Sequence, residues 1–164
     1  MQEVLHMNKQ QLEAIDYNHI PSGLLKLHHD QIEQAVRRLG AVPYDLWLPE
    51  THVLPLIIQP SEQIKGIVYG RYKQETGQNT IIGRGALVAT DRRVLLVDRK
   101  PLFMKSTEIM YRVVSAVNYS RVGFAGTITL HTRLGNINLR TFNQNCAHHF
   151  IEAIEANIMS SGEE

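Results

Sequence analysis

The chain of 164 residues contains a single cysteine, Cys146, and a single tryptophan, Trp47. One cysteine excludes a disulfide within the chain and favours a reducing compartment, so a cytoplasmic location is expected. The 17 basic and 16 acidic side chains leave a net charge of +1, which gives no overall attraction to nucleic acid or to a membrane. No apolar run approaches the roughly 20 residues that cross a bilayer. The N-terminus lacks a basic region followed by an apolar core, so no secretory signal is expected.

Patterns that carry catalysis or bind metal are also scarce. The pairs His28-His29 and His148-His149 consist of adjacent residues, which point about 100° apart on a helix and cannot chelate one metal ion as a unit. Cys146, near a helix start that would stabilise a thiolate, has no histidine tied to it by a spacing motif. The acidic residues of the middle region are scattered without a spacing that pairs them (Asp91, Asp98 and Glu108). We therefore expect no enzymatic activity, no metal site and no cofactor.

Charge is distributed unevenly along the chain. Residues 1–50 carry seven acidic and four basic side chains, whereas residues 71–105 carry eight basic and three acidic ones. The near-neutral total therefore combines an acidic N-terminal region with a basic middle. We hypothesise that the acidic region folds back on the basic one, in the same chain or in a neighbouring copy, by charge complementarity.

Residues 1–41 are predicted to form an extension of two helices. Asn8 is placed to cap a first helix that ends near Asn18. Apolar residues at helical spacing predict a second helix that ends at Leu39, before Gly40 (Leu25, Ile32, Val36 and Leu39). Residues 42–60 contain four of the six prolines, so this connector is predicted to be irregular, with at most a short strand at Val53–Ile58.

A β-rich region is predicted over residues 61–160. Gly85–Asp98 consists of two apolar runs around a short polar turn at Thr90-Asp91, the pattern of a tight β-hairpin. Further strands are predicted at Ile64–Tyr72, Val113–Tyr119 and Gly126–Thr132, and around Ile137 and Leu139. The period then changes, and Asn143 is placed to cap a final helix with one apolar stripe (Ala147, Phe150, Ile151, Ile154 and Ile158).

The run GALVATDRRVLLVD at residues 85–98 resembles the hairpin of bacterial pleckstrin-homology (PH)-like domains. RVVSAVNYS at 112–120 and GFAGTITLHTRLGNINLRTF at 123–142 extend the resemblance over about residues 61–159. It implies a mainly β fold: seven strands in two nearly orthogonal antiparallel sheets, a partly open barrel capped by a C-terminal helix. Phe150 stands where eukaryotic PH domains usually carry a tryptophan in that helix.

The same resemblance implies a position for an anionic ligand. PH domains that bind phosphoinositides clamp phosphates with basic residues of the first two strands, and here Lys73 and Arg84 lie on those strands. Arg71, Arg92 and Arg93 are candidates to thicken a positive rim, since arginine pairs with phosphate oxygens in a bidentate manner. The alternative is that these side chains are solvated ends of strands.

A second candidate site lies in the connector. Trp47, with Tyr44 and Leu46, stands in an aromatic segment bounded by prolines, which is typical of interface residues. Trp47 is otherwise a cap on the protein's own barrel. We expect a non-enzymatic module for protein interaction or self-assembly. The alternative is peripheral binding to anionic lipid headgroups at the inner membrane surface. Nucleic acid is not expected, because the strands lack surface aromatics interleaved with basic residues.

Overall fold

Antiparallel strands and four helices make up the fold, in a computed structural model that describes residues 2–8 and 22–162. The strands are β1 (Gln2–Asn8), β2 (Ile64–Thr76), β3 (Asn79–Thr90), β4 (Arg93–Lys100), β5 (Phe103–Met110), β6 (Val114–Val122), β7 (Ala125–Thr132) and β8 (Gly135–Thr141). The helices are α1 (Ser22–Arg38), α2 (Pro43–Leu46), α3 (Pro49–Ile57) and α4 (Gln144–Ser161), and a 3-10 turn at Tyr111–Val113 precedes β6. No helix among the described residues is long and apolar enough to cross a membrane.

The strands form one open sheet in the order β1-β5-β4-β3-β2-β8-β7-β6. The expected mainly β fold with a closing helix is confirmed. The two expected sheets are continuous with one another in this open sheet, because β2 belongs to both halves. It pairs with β3 along nearly its whole length and with β8 only through Arg71–Glu75.

Short turns fix the registers of the hairpins. In the β2–β3 and β6–β7 hairpins two residues connect the strands, and the first of the two is Gly77 (φ 59°) or Gly123 (φ 61°). Glycine adopts this left-handed backbone without strain, and its twist suits two-residue hairpins. In the predicted β3–β4 hairpin, the Thr90 hydroxyl accepts hydrogen bonds from the amides of Arg92 (3.1 Å) and Arg93 (3.0 Å), which confirms the expected structural role of this turn.

Two hydrophobic clusters lie on opposite faces of strands β2–β4. The inner cluster contains Val68, Leu87 and Leu96, together with β7, β8 and the stripe of α4. The outer cluster contains Ile67, Val88 and Leu95, and it is covered by α1 and α3 (Ile32, Val36, Val53 and Leu54). Burial on both faces explains why residues 85–90 of β3 and 94–98 of β4 are buried in succession, without alternation.

Helix α4 closes the inner side of the sheet. The Asn143 side chain caps it by accepting a hydrogen bond from the Cys146 amide at 3.0 Å, as predicted. Phe150 and Ile154 are fully buried. Gly66 faces Phe150 so closely that an added Cβ would lie 2.6 Å from its Cα, so a side chain there would hold α4 away from β2.

The N-terminal region differs from the expectation in two places. Its first described segment is strand β1, whose backbone pairs antiparallel with β5, so the extension over residues 1–41 is not purely helical. The first predicted helix falls outside the described residues, apart from Asn8, which ends β1. The second predicted helix is confirmed as α1. Helix α1 packs on the sheet through apolar contacts. Among the described residues, one ion pair joins the acidic N-terminal region to the basic middle, between Glu50 on α3 and Lys100 at 4.0 Å.

The connector at residues 42–60 is helical, so the prediction of irregular structure or a strand at Val53–Ile58 was wrong. Pro43 and Pro49 occupy the first turns of α2 and α3, where the missing N–H has no partner to lose. Asp45 supports the start of α2, because its carboxylate accepts a hydrogen bond from the Val42 amide at 3.0 Å. Of the connector prolines, Pro55 alone lies inside a helix.

Candidate functional site

Three arginines lie side by side across the middle of the sheet. Arg71 on β2 is directly opposite Arg84 on β3, and on its other side it is directly opposite Arg140 on β8. Residues opposite one another on neighbouring strands share a face of the sheet, and the strands are about 4.8 Å apart. We call Arg71, Arg84 and Arg140 the arginine row. All three side chains are exposed.

Local features of the strands bring the arginine row together. Gly70 lies against the Arg140 carbonyl oxygen, which a Cβ on Gly70 would overlap, so a side chain there would keep β8 from β2. On the other side β4 pairs with β3 only along Ala86–Ala89. Arg84 therefore belongs to the part of the β2–β3 hairpin that extends past β4, where the outer face is open.

A cleft of about 780 Å³ lies beside the arginine row. One wall is formed by α2 and the segment that leads into α4, with Tyr44 and Phe142 as exposed aromatic side chains (69% and 72%). The Tyr69 and Gly70 positions of β2 also line it. The Arg140 guanidinium lies 5.8 Å from the centroid of the Phe142 ring, a cation–π contact that orients it. We call this cavity the arginine cleft.

The carboxylates of the arginine cleft are engaged elsewhere. The Asp45 carboxylate accepts from the Val42 amide, and Asn143 Nδ2 lies 3.5 Å from it. The Glu50 carboxylate lies 3.4 Å from the Arg99 amide and 4.0 Å from Lys100 Nζ. Burial raises the pKa of Glu50, against the lowering effect of these contacts. Both side chains are buried, and neither forms an ion pair with the arginine row.

Charge in the arginine row is not neutralised within the chain that the structure describes. The arginines in ion pairs there are Arg37, with Glu33, and Arg93, with Glu62 and Glu108. Like charges directly opposite one another destabilise a sheet. A row of three such charges beside an open cleft is therefore suited to hold an anion that approaches from outside.

The structure separates the other basic residues that the sequence suggested for this site. Lys73 lies on the same face of β2, two residues beyond Arg71, and pairs with Glu75 at 2.7 Å. Arg92 and Arg93 lie beyond Thr90 at the far end of β3, about 20 Å from Arg84 at the usual rise per residue. The rim expected from Lys73, Arg84, Arg92, Arg93 and Arg71 therefore reduces to Arg71 and Arg84.

Arg92 and Arg93 have structural contacts at the far end of the sheet. The Arg92 guanidinium donates to the side chains of Gln59 (2.7 Å) and Ser61 (2.9 Å). Arg93 binds the fully buried Glu62 carboxylate at 2.9 Å and 3.0 Å. Burial acts to raise the pKa of Glu62, but hydrogen bonds from Arg93, Thr90 and the Gln59 amide lower it below its ordinary value. These residues connect the start of β2 to the β3–β4 turn.

Arg140 was not among the residues suggested by sequence. Its alternation with Ile137 and Leu139 already indicated an outward-facing side chain. Its place beside Arg71, however, depends on the pairing of β8 with β2, which joins segments about 70 residues apart and leaves no local pattern.

The connector residues divide between two surfaces. Tyr44 lines the arginine cleft, whereas Trp47 is 78% exposed and borders a smaller groove of about 250 Å³ between α1, α2 and α3. Leu46 is half-buried against the outer cluster. Trp47 therefore does not cap the barrel, and its role as an interface residue stays a prediction.

Cys146, His148 and His28 each have a defined environment in the described part of the chain. Cys146 is buried, and burial raises its pKa to about 12, so the thiolate suggested by its place near a helix start is disfavoured. His148 pairs with Glu152 at 3.1 Å, and His28 Nε2 lies 2.8 Å from the Ile58 carbonyl. Across residues 26–162, histidine, cysteine and carboxylate side chains form no cluster of three that could hold a metal ion.

Similarity to known proteins is found both among solved structures and at the level of a family profile. Among solved structures the chain is similar to the Vps36 N-terminal PH domain, at 18% identity and a TM-score of 0.47, over 65% of this chain and 86% of that one. It is also similar to the N-terminally truncated linker-DH/PH domains of p115-RhoGEF, at 10% identity and a TM-score of 0.40, over 84% of this chain and 41% of that one. No curated protein matches it. The profile of the bacterial PH domain family matches residues 58–156, more than half of the sequence, and the chain therefore belongs to the bacterial PH domain family.

Proposed function

We propose that this protein is a non-enzymatic interaction module that binds an acidic segment of a partner protein in the arginine cleft. PH domains commonly bind proteins or lipids. The observation that carries the proposal is the arginine row, whose three charges have no carboxylate partner among the described residues. Such a row is unfavourable in the free protein and becomes favourable when an anion binds.

The shape of the site supports a polypeptide ligand. A concave cleft of this volume encloses a ligand much larger than a single anionic group. Tyr44 and Phe142 offer exposed aromatic surface beside the arginines, and tyrosine, phenylalanine and arginine are enriched where proteins meet. The carboxylates of the cleft are held by other groups and are not free to act as an acid–base pair, which supports a binding role.

A direct test is fluorescence anisotropy with a labelled acidic peptide, Glu-Glu-Tyr-Glu-Glu, and its lysine counterpart. We expect the acidic peptide alone to bind, with an affinity that falls as salt rises. Arg71→Gln with Arg84→Gln should abolish binding. Arg112→Gln with Arg133→Gln is the matched control, since it removes two exposed arginines outside the cleft. Equal loss of binding in both double variants, or binding of both peptides alike, would refute the proposal.

A second candidate function is peripheral binding to anionic lipid at the inner membrane surface. It is favoured by the β6–β7 turn, where Val122 and Phe124 are 83% and 85% exposed and Arg121 is adjacent. Apolar side chains on a projecting turn insert into lipid while nearby cations attract anionic headgroups. Sedimentation with phosphatidylserine vesicles and with neutral vesicles tests it. Salt-sensitive pelleting with the anionic vesicles, lost on Phe124→Ser, would favour this function over peptide binding.

Self-assembly is the other form of protein interaction that a specific residue supports. Trp47 is a large apolar side chain that the protein leaves mostly in water, and exposed tryptophans are frequent interface residues. Light scattering should then give a mass above the 18.7 kDa of one chain, and Trp47→Ser should restore the monomer. A monomeric mass for the unmodified protein would exclude this mode.

A further inference from the structure

We infer that the acidic group recognised by the arginine row is a phosphate dianion on a side chain of the partner segment. This inference rests on the proposed function, because it names the chemistry of the ligand in the same cleft. It concerns the face of the sheet on which Arg71, Arg84 and Arg140 lie, and it does not use Lys73, whose charge is paired with Glu75.

The number of donors is the first argument. The three guanidinium groups each present five N–H donors in a rigid fork. A carboxylate has two oxygens and one charge, so it satisfies one arginine in a bidentate manner and leaves the others poorly matched. A phosphorylated side chain has three free oxygens and a charge of about −1.5 to −2 at pH 7.

The placement of the arginines is the second argument. Arg71 is central, with Arg84 and Arg140 one strand away on each side, about 4.8 Å in backbone spacing. Long side chains at that spacing can converge on one anion from three directions. Arg140 is oriented by the Phe142 ring, and no carboxylate of the described chain competes for the row.

The surroundings favour a peptide as the source of the phosphate. The cleft is several times larger than a phosphate group, and the exposed rings of Tyr44 and Phe142 line it on one side. Residues that flank a phosphorylated side chain can pack on those rings.

The test uses the full chain and three peptides that differ at one position, Ala-Tyr-X-Tyr-Ala, where X is phosphoserine, glutamate or serine. Binding is measured by isothermal titration calorimetry at near-physiological salt. We expect the phosphoserine peptide to bind about tenfold more tightly than the glutamate peptide, and the serine peptide not to bind. Arg71→Lys with Arg140→Lys keeps the charge but removes the forked donors, so it should reduce the preference for phosphoserine.

The outcomes separate this inference from the proposed function. Equal affinity for the phosphoserine and glutamate peptides would overturn the phosphate assignment and leave binding of acidic segments intact. Absence of binding to both, together with no binding of the Glu-Glu-Tyr-Glu-Glu peptide, would overturn both. Binding to vesicles that contain phosphatidic acid, with no binding to the phosphoserine peptide, would overturn the peptide source. An unchanged preference in the double lysine variant, with Arg112→Lys and Arg133→Lys as control, would refute recognition by the guanidinium groups.

Discussion

Arg71 and Arg84 lie directly opposite one another on strands β2 and β3, with Arg140 on the far side of Arg71. Like charges in this arrangement repel, so the free protein is less stable than one with a neutral side chain at the centre of the row. We expect Arg71→Gln to raise the free energy of unfolding by a few tenths of a kcal/mol at low salt, and the gain to shrink at high salt because the repulsion is screened.

Urea denaturation at low and high salt measures this effect. Arg112→Gln is the control, because it removes an exposed arginine from the 3-10 turn outside the row. A loss of stability for Arg71→Gln at low salt would mean that the arginine row is neutralised within the folded chain.

Gly70 controls the approach of β8 to β2. A Cβ at this position would overlap the Arg140 carbonyl oxygen, and backbone cannot move aside as cheaply as a side chain. We expect Gly70→Ala to lower the free energy of unfolding by about 1–3 kcal/mol and to separate Arg140 from Arg71. Thermal denaturation followed by circular dichroism is the measurement. Gly162→Ala is the control, since a Cβ there meets its nearest neighbours at 3.7 Å; equal effects would argue against the close approach.

Phe150 is the aromatic residue at the centre of the inner cluster. It is fully buried between α4 and the sheet, and Phe150→Ala removes a ring that its neighbours cannot replace. We expect a loss of about 3–5 kcal/mol. Phe124→Ala at the exposed β6–β7 turn removes the same ring and should leave stability nearly unchanged. Chemical denaturation of the two variants side by side is the measurement. Equal shifts of their unfolding midpoints would contradict this packing.

Glu62 contributes stability that depends on pH. Its folded pKa is lowered, against the effect of burial, by hydrogen bonds from Arg93 and Thr90. The contribution is therefore full above the ordinary glutamate pKa of 4.5 and is lost as pH falls through the folded pKa. Glu62→Gln should be clearly less stable than the unmodified protein at about pH 7, and the difference should narrow at about pH 3. A constant difference across that range would show that the ion pair does not form.

Features determined by local sequence were predictable. The polar turn at Thr90-Asp91 between two apolar runs identified the β3–β4 hairpin, and Asn143 before an apolar stripe identified the start of α4. The prolines of the connector were misleading for an equally local reason. Proline breaks a helix in its interior but begins one readily, and Pro43 and Pro49 both stand in first turns.

The arginine row could not be predicted from local sequence, because it depends on how the strands pair. The two-residue turn at Gly77-Gln78 places Arg71 opposite Arg84, but the sequence predicts a strand that already ends at Tyr72 and so misses this pairing. The third member depends on the long-range pairing of β8 with β2, which Gly70 permits. A glycine within a strand signals a close approach without naming the neighbour.

The double burial of β3 and β4 sets the limits of the smallest fragment that can fold. A fragment cut to the family match, residues 58–156, would keep the inner cluster but leave Val88, Leu95 and Val97 facing water. A flat apolar surface on a sheet is prone to associate with other chains. The helices that precede the match therefore serve the purpose that a second sheet serves in a sandwich, and a soluble fragment must begin at or before Ser22.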